Sequence, residues 1–480
     1  MRTLKTAVLI GLIACQSASR SGSVPSGGAT TGATVEVWLT TGDQRALLTR
    51  QPDLMLVDGA QGVASPAIVV DPSKKYQEMI GFGGAMTDAS AFLIQNRMSA
   101  TERERLMQDL FGRDSGVGFS FVRVPMGASD FSARHYSYDD MPAPESDSSL
   151  AHFSIDADRV AKLPLLRRAL AINPQLKVMA SPWSPPAWMK TTNSLIKGTL
   201  RQDYYDSFAS YFVKFIRAYG AEGVPVYAIT IQNEPNFEPE NYPGMHLDPK
   251  VRAEIIGMHL GPSFAHNGIK TLIWDWDHNW DLPQQPLVVL ADSTARRYVQ
   301  GVAWHCYGGE VGAQSTVHDR YPDKDAYFTE CSGGDWSPKF DENLKWTTAN
   351  LVIGAPRNWA RGVLMWNLAL DENHGPHLGG CATCRGVVTI DSKTGAYKRE
   401  VEYYSFAHAS KFVRPGARRI ASEGNDSTLT SVAFQNPDKG TLVLIVLNSA
   451  AAPRAFAVRL GDAWFSYTLP AAAVATFVWE

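Results

Sequence analysis

Charge is scarce in this chain of 480 residues: only 19% are Asp, Glu, Lys or Arg, and the signs nearly cancel, 45 Lys+Arg against 48 Asp+Glu, for a formal net charge of −3. The absence of a polycationic surface excludes nucleic-acid binding as a main function. Low charge together with 45% hydrophobic and 10% aromatic residues also excludes a disordered chain, which needs the opposite balance. The apolar run 7–14 is about half as long as a membrane-spanning helix requires, and no solenoid-type repeat is visible. Cysteine is rare, with five in all, so each can be read singly. What is present is ample core. At roughly 100–200 residues per domain the length allows about three domains, or one barrel of about 250 residues with one or two small companions.

Arg2 and Lys5 precede the apolar run, which reads as an export signal. It ends Leu12-Ile13-Ala14-Cys15, resembling a bacterial lipobox in which the Cys15 thiol takes up lipid and becomes the new N-terminus. Gln16 is not the Asp associated with inner-membrane retention. The alternative is an ordinary secretory signal with an incidental cysteine. Residues 1–14 are thus expected to be removed and the Ser/Gly/Thr-rich 15–34 to form a flexible tether. The expected location is periplasmic or outer-membrane-anchored, surface-exposed or secreted, with membrane contact only through the lipid. An oxidising compartment permits disulfides. Cys381 and Cys384 are the candidate pair; free thiols, or zinc in the run His374-x2-His377-x3-Cys381-x2-Cys384, are the alternatives.

From about residue 80 to 371, short β-rich runs alternate with amphipathic helical stretches, the pattern of a parallel sheet. The runs are 79–84, 119–125, 176–182, 226–233, 271–277, 299–307, 326–330 and 362–368. Eight of them predict a closed (β/α)8 barrel. Ser99-x-x-Glu102 reads as a capping box opening one helix, and Gly112 stops it. Tyr204, Phe208, Tyr211, Phe212, Phe215 and Tyr219 form a helical stripe expected to pack on the barrel. Both flanks alternate apolar and polar residues as strands do. The expected division is strands of an antiparallel β-sandwich at 35–78, the barrel at 79–384, and the rest of the sandwich at 385–480.

Barrel chemistry sits at the C-terminal ends of the strands. The fourth run ends Thr230-Ile231-Gln232-Asn233-Glu234-Pro235, where strand alternation would aim Glu234 at the barrel mouth with Thr230 and Gln232. The seventh ends Thr329-Glu330-Cys331. Two carboxyl groups facing across a barrel mouth are what glycosidic cleavage needs: one protonates the leaving oxygen while the other attacks the anomeric carbon. Cys306 and Cys331 each follow a mouth-facing residue, and alternation points them outward as buried thiols.

The ordered segments Gly81-Phe82-Gly83-Gly84-Ala85-Met86-Thr87-Asp88, Arg123-Val124-Pro125-Met126-Gly127, Ser181-Pro182-Trp183-Ser184-Pro185-Pro186-Ala187-Trp188-Met189-Lys190, Gln232-Asn233-Glu234-Pro235, Trp304-His305-Cys306-Tyr307, Thr329-Glu330-Cys331 and Trp366-Asn367-Leu368 resemble glycoside hydrolase family 30, the glucosylceramidases and endo-β-1,6-glucanases. The resemblance implies a retaining β-glycosidase without a cofactor. Glu234 matches the acid/base, Glu330 the nucleophile and Asn233 the residue that bonds the sugar 2-hydroxyl. It also implies that Asp88, Trp183, His305, Tyr307 and Trp366 line the subsite of the cleaved sugar. Arg123 either orients the acidic groups from beneath or makes an ordinary buried ion pair. Residues 277–280 are candidates for leaving-group recognition.

A retaining enzyme implies carboxyl groups about 5–5.5 Å apart. The expected substrate is a β-glucan, a β-glucoside or glucosylceramide. The alternatives are a xylosidase or xylanase of the same family, and a glycan-binding surface lipoprotein that has lost catalysis.

Overall fold

The computed structural model describes residues 30–59 and 66–480. The expected signal, Cys15 and the tether up to residue 29 lie outside the described residues. Residues 30–34, also assigned to the tether, instead open a strand, β1 (Thr30–Thr41), with Thr30 paired to Val57 and Thr34 to Met55 of β2 (Thr49–Asp58). The threonines that make this stretch look like linker are β-branched and suit a strand once a partner lies alongside. After β3 (Ala67–Glu78), the barrel strands follow.

These are β4 (Gly81–Ala85), β5 (Phe121–Met126), β6 (Lys177–Pro182), β7 (Val226–Thr230), β8 (Leu272–Asn279), β9 (Val299–His305), β10 (Asp325–Glu330) and, after the short β11 (Gly333–Gly334), β12 (Ala360–Asn367). All neighbours pair in parallel and the sheet closes in the order β10-β12-β4-β5-β6-β7-β8-β9. Each of the eight runs read from the sequence holds one strand. Small strands β13 (Ala369–Asp371), β14 (Cys384–Arg385), β15 (Val388–Ile390) and β16 (Tyr397–Arg399) cover the region after β12.

Inside the barrel the rings of Trp274 and Tyr327 stack 3.6 Å apart and pack with Phe121, Met179 and Leu364, filling the floor. Outside it, the helix Tyr205–Ala221 buries Phe208, Tyr211, Phe212, Phe215 and Tyr219, while Tyr204 lies just ahead of its first turn. Ser99 caps the helix Ala100–Phe111 by accepting from the Glu102 N–H at 3.2 Å.

The second unit combines β1–β3 with β17 (Arg418–Glu423), β18 (Leu429–Gln435), β19 (Leu442–Asn448), β20 (Arg454–Leu460), β21 (Ala463–Leu469) and β22 (Ala473–Trp479). Val35 and Val37 alternate with exposed Glu36 and bury against Leu444 and Phe477. The barrel layer extends past the boundary expected at residue 384. The helix Val401–Ser410 packs on β4 through Phe406 and Phe82, whose rings lie 6.4 Å apart. The same helix reaches the sandwich: His408 bonds Thr40 and Thr476, each at 2.8 Å. No helix among the described residues is long and apolar enough to cross a membrane.

Candidate active site

Neither cleft carboxylate is aimed by simple strand alternation. β7 ends at Thr230, so Glu234 lies beyond the strand, with φ of 47°. Its N–H donates to Asp277 O at 3.0 Å and the Asn233 N–H donates to Pro182 O at 2.8 Å. These bonds hold a left-handed turn that a non-glycine residue seldom adopts. Across the barrel, the register between β10 and β9 slips between Phe328 and Glu330. Such an irregularity lets consecutive side chains serve one face: Thr329 donates to Asp277 and Glu330 enters the cleft. An oxygen of Glu234 and an oxygen of Glu330 lie within 4.8 Å of one another, and His305 contributes a ring nitrogen within the same distance. That spacing fits the close pair of a retaining glycosidase and not the gap of about 6.5–9.5 Å in inverting ones.

Under the pair lies a hub centred on Asp277; of the leaving-group candidates 277–280, His278 and Asn279 line the cleft, whereas Asp277 is fully buried. Asp277 follows Trp276 in β8, and both have positive φ, 58° and 77°. This kink turns the Asp277 carboxylate under the mouth. It accepts from Arg123 Nη2 at 2.7 Å, Thr230 at 2.6 Å, Ser181 at 2.8 Å and Thr329 at 2.7 Å. Burial alone would raise its pKa, but Arg123 and His305 hold it far below the carboxylate range. Arg123, fully buried, also donates to Glu330 and, at 2.8 Å, to Asn233 Oδ1. It therefore orients the acidic groups from beneath.

His305 bridges the hub and the cleft, with Nε2 2.9 Å from Asp277 Oδ1 and Nδ1 3.1 Å from Glu234 Oε1. Burial would keep the ring neutral, yet Glu330, Asp277 and Glu234 outweigh it and push its pKa up to about 9. Burial and the facing Glu234 raise Glu330 against the pull of His305 and Arg123. Glu234 is drawn down against its own burial by His305, His278 and Arg123. The carboxyls and the imidazole thus titrate as one cluster. Tyr307 donates its phenol to Glu330 Oε1 at 2.9 Å.

The carboxylates open into a cleft of about 590 Å³ lined by Asp130, Trp183, Asn233, Tyr242, His278, Tyr307, Trp336 and Trp366, among others. Trp183 and Trp366 stack with centroids 5.0 Å apart and form one wall of the cleft. Asp88 is not in the cleft. It pairs with Lys162 at 2.9 Å, accepts from Ser132 and Tyr136, and lines a separate cavity behind them. It follows the helix cap Thr87 and is drawn away by the buried Lys162.

Asp130, in the loop after β5, takes the place expected of Asp88. It is buried, its Oδ1 has no partner among the described residues, and burial with the charges of Glu330 and Glu234 raises its pKa well above normal. The signal that could have found it is position, four residues beyond the end of a barrel strand.

The cysteines differ from expectation at one pair. Cys306 and Cys331 are bridged, not free thiols. β9 and β10 are neighbours, and the outward positions after His305 and Glu330 bring their Cα atoms to 5.4 Å. Cys381 and Cys384 are also bridged, leaving no thiolate for zinc, and His374 instead pairs with Asp335 at 3.0 Å.

The model of the glycosyl hydrolase family 30 TIM-barrel domain matches residues 79–413, and that of the family 30 beta sandwich domain matches 416–477. The chain belongs to glycoside hydrolase family 30. It is 38% identical to the endo-1,6-beta-D-glucanase of Neurospora crassa over 394 residues, 78% of this chain and 80% of that one. To the lysosomal acid glucosylceramidase of Mus musculus it is 31% identical over 438 residues, 86% and 83% of the two chains. The solved structure of the endo-beta1,6-glucanase BT3312 superposes with a TM-score of 0.85 at 33% identity, covering 93% of this chain and 99% of that one. This family 30 member is a retaining β-glycosidase of the endo-1,6-β-glucanase/glucosylceramidase type.

Proposed function

We propose that the enzyme cleaves β-1,6-linked glucan from within the chain, with Glu330 as nucleophile and Glu234 as acid/base. The observation that carries the substrate choice is the lining of the cleft. Glu240, Asn241, Asn279 and Asp130 share it with Trp183, Tyr242, Trp336 and Trp366. Such a mixture of hydrogen-bonding groups and rings suits sugars better than the two hydrocarbon chains of a ceramide. The relatives named as endo-1,6-β-glucanases, at 35–38% identity, support the same reading over the glucosylceramidases at 30–32%.

In the first step Glu330 attacks the anomeric carbon and forms a glycosyl ester while the leaving oxygen takes a proton from Glu234. His305, protonated at neutral pH, lies within hydrogen-bond reach of Glu234 Oε1 and supplies the proton held in that cluster. In the second step Glu234 removes a proton from water, which attacks the same carbon and frees Glu330. Arg123 and Tyr307 donate onto Glu330 whenever it carries charge. Asn233, whose oxygen is taken by Arg123, keeps its NH2 for the 2-hydroxyl. Trp183 and Trp366 face the C–H surface of the ring.

The test is a panel of β-1,6-glucan, β-1,3-glucan, xylan, glucosylceramide and aryl β-glucoside and β-xyloside, with product lengths recorded. Internal cleavage of β-1,6-glucan to short oligosaccharides is expected. Turnover of glucosylceramide with β-1,6-glucan untouched would overturn the reading.

We further propose that the enzyme is exported and anchored by lipid on Cys15. Arg2, Lys5 and the apolar run before Cys15 support this, as do two disulfides in an otherwise cysteine-poor chain. Labelled palmitate should enter the wild type and not Cys15→Ala; equal labelling of the two would contradict it.

A further inference from the structure

A second cavity of about 450 Å³ continues from the catalytic cleft and shares Tyr307 and Trp336 with it. The Cys306–Cys331 disulfide lies in its lining, and Trp346, Asn343, Glu342 and Ser332 form its other walls. Trp336 and Trp346 are 57% and 43% exposed. Two indoles left half-open in the lining of one groove are a recognition surface when their positions are fixed.

They are fixed here. The Trp336 ring lies flat on Gly334, where a Cβ would come within 2.0 Å of it. β11 pairs with β14, and the Asp335 N–H donates to Thr383 O at 3.0 Å. Disulfides lie on both strands of this pair, Cys331 just before β11 and Cys384 in β14. Trp346 sits in the helix Phe340–Thr347. Little order has to be created on binding.

The chemistry of the walls selects the ligand. Among the described residues no Lys, Arg or His lines the groove, which leaves an acidic sugar or a phosphate without a cationic partner among them. Flat apolar faces set among a hydroxyl, an amide and a carboxylate match a neutral pyranose, which offers C–H surface and hydroxyls together.

We propose that this groove holds further glucosyl units of the chain whose scissile bond lies between Glu234 and Glu330. The inference rests on the reading that a glucan is the substrate, and it makes Trp346 a determinant of specificity for long chains. The test compares Trp346→Ala with the wild type on long β-1,6-gluco-oligosaccharides and on an aryl β-glucoside, which reaches only the cleft. A loss of about tenfold in kcat/KM on the long substrate, carried by KM, is expected, with the aryl glucoside unaffected. Trp346→Phe should restore most of the loss, which a merely structural role would not require. An equal fall on both substrates, or none on the long one, would overturn the proposal. A wild type that turns over the aryl glucoside and not the glucan would instead remove the substrate reading beneath it.

Discussion

Arg123 and Asp277 meet 2.7 Å apart beneath the two cleft carboxylates, and neither side chain touches solvent. Arg123 then reaches up to Glu330 and Asn233, and Asp277 to His305. Glu330, Asn233 and His305 are therefore oriented by one buried ion pair, and Glu234 through His305. A buried pair of this kind gains little over well-packed apolar residues, but removing one partner strands the other charge in a dry interior.

Asp277→Asn should accordingly lower unfolding stability by about 3–5 kcal/mol, measured by denaturant titration at neutral pH. It should also cost about 100-fold or more in kcat/KM, since Arg123 and His305 lose the group that orients them. Because Asp277 is among the charges that keep the His305 pKa high, the alkaline limb of the pH profile should move to lower pH in the variant. An unchanged profile would show that Asp277 does not act through His305.

Asp130 and Asp88 should separate cleanly. Asp130→Ala removes a buried carboxyl whose Oδ1 lacks a partner among the described residues, so the free enzyme should unfold at an equal or higher temperature while activity on an aryl β-glucoside falls about 100-fold. Asp88→Ala leaves buried Lys162 with Asp158 alone, so stability should fall while KM holds. The reverse pattern would return the sugar contact to Asp88.

The contrast between these two aspartates shows what was legible in the sequence. Barrel and sandwich follow from local periodicity: the eight β-rich runs and the stripe from Phe208 to Tyr219 need no tertiary knowledge. Glu330 was legible because it ends a barrel strand, and Glu234 because it follows one closely in the run Gln232-Asn233-Glu234-Pro235. Asp277 was legible only as a leaving-group candidate; its place under the carboxylates depends on two consecutive left-handed residues that re-aim it, and nothing in Trp276-Asp277 announces them. The Cys306–Cys331 bridge depends on the register of neighbouring strands 25 residues apart in sequence. Asp88 was misplaced because a buried lysine from another helix claims it.

His408 ties the barrel to the sandwich. It is fully buried between Thr40 and Thr476, and burial lowers its pKa from 6.5 to about 3. A depressed folded pKa means that this contribution is full above pH 6.5 and is lost as pH falls toward 3. His408→Gln keeps a donor and an acceptor without titrating there. Across that window the wild type should lose about 1.4 kcal/mol per pH unit more than the variant. Parallel stability curves would contradict this.

The Cys306–Cys331 bridge closes a loop between the strands that carry His305 and Glu330. Cys331→Ser should destabilise the fold by about 3 kcal/mol in thermal or denaturant unfolding. It should also reduce kcat at temperatures well below unfolding, because Tyr307 and Glu330 flank the two sulfurs. Wild-type kcat in the folded variant would limit the bridge to stability.

The central claim is the division of labour between Glu330 and Glu234, and trapping the covalent intermediate tests it most directly. An activated 2-deoxy-2-fluoro-β-glucoside, incubated with the enzyme and followed by peptide mass mapping, should leave one fluoroglucosyl group on Glu330. A label on Glu234, or on any other residue, would contradict the account.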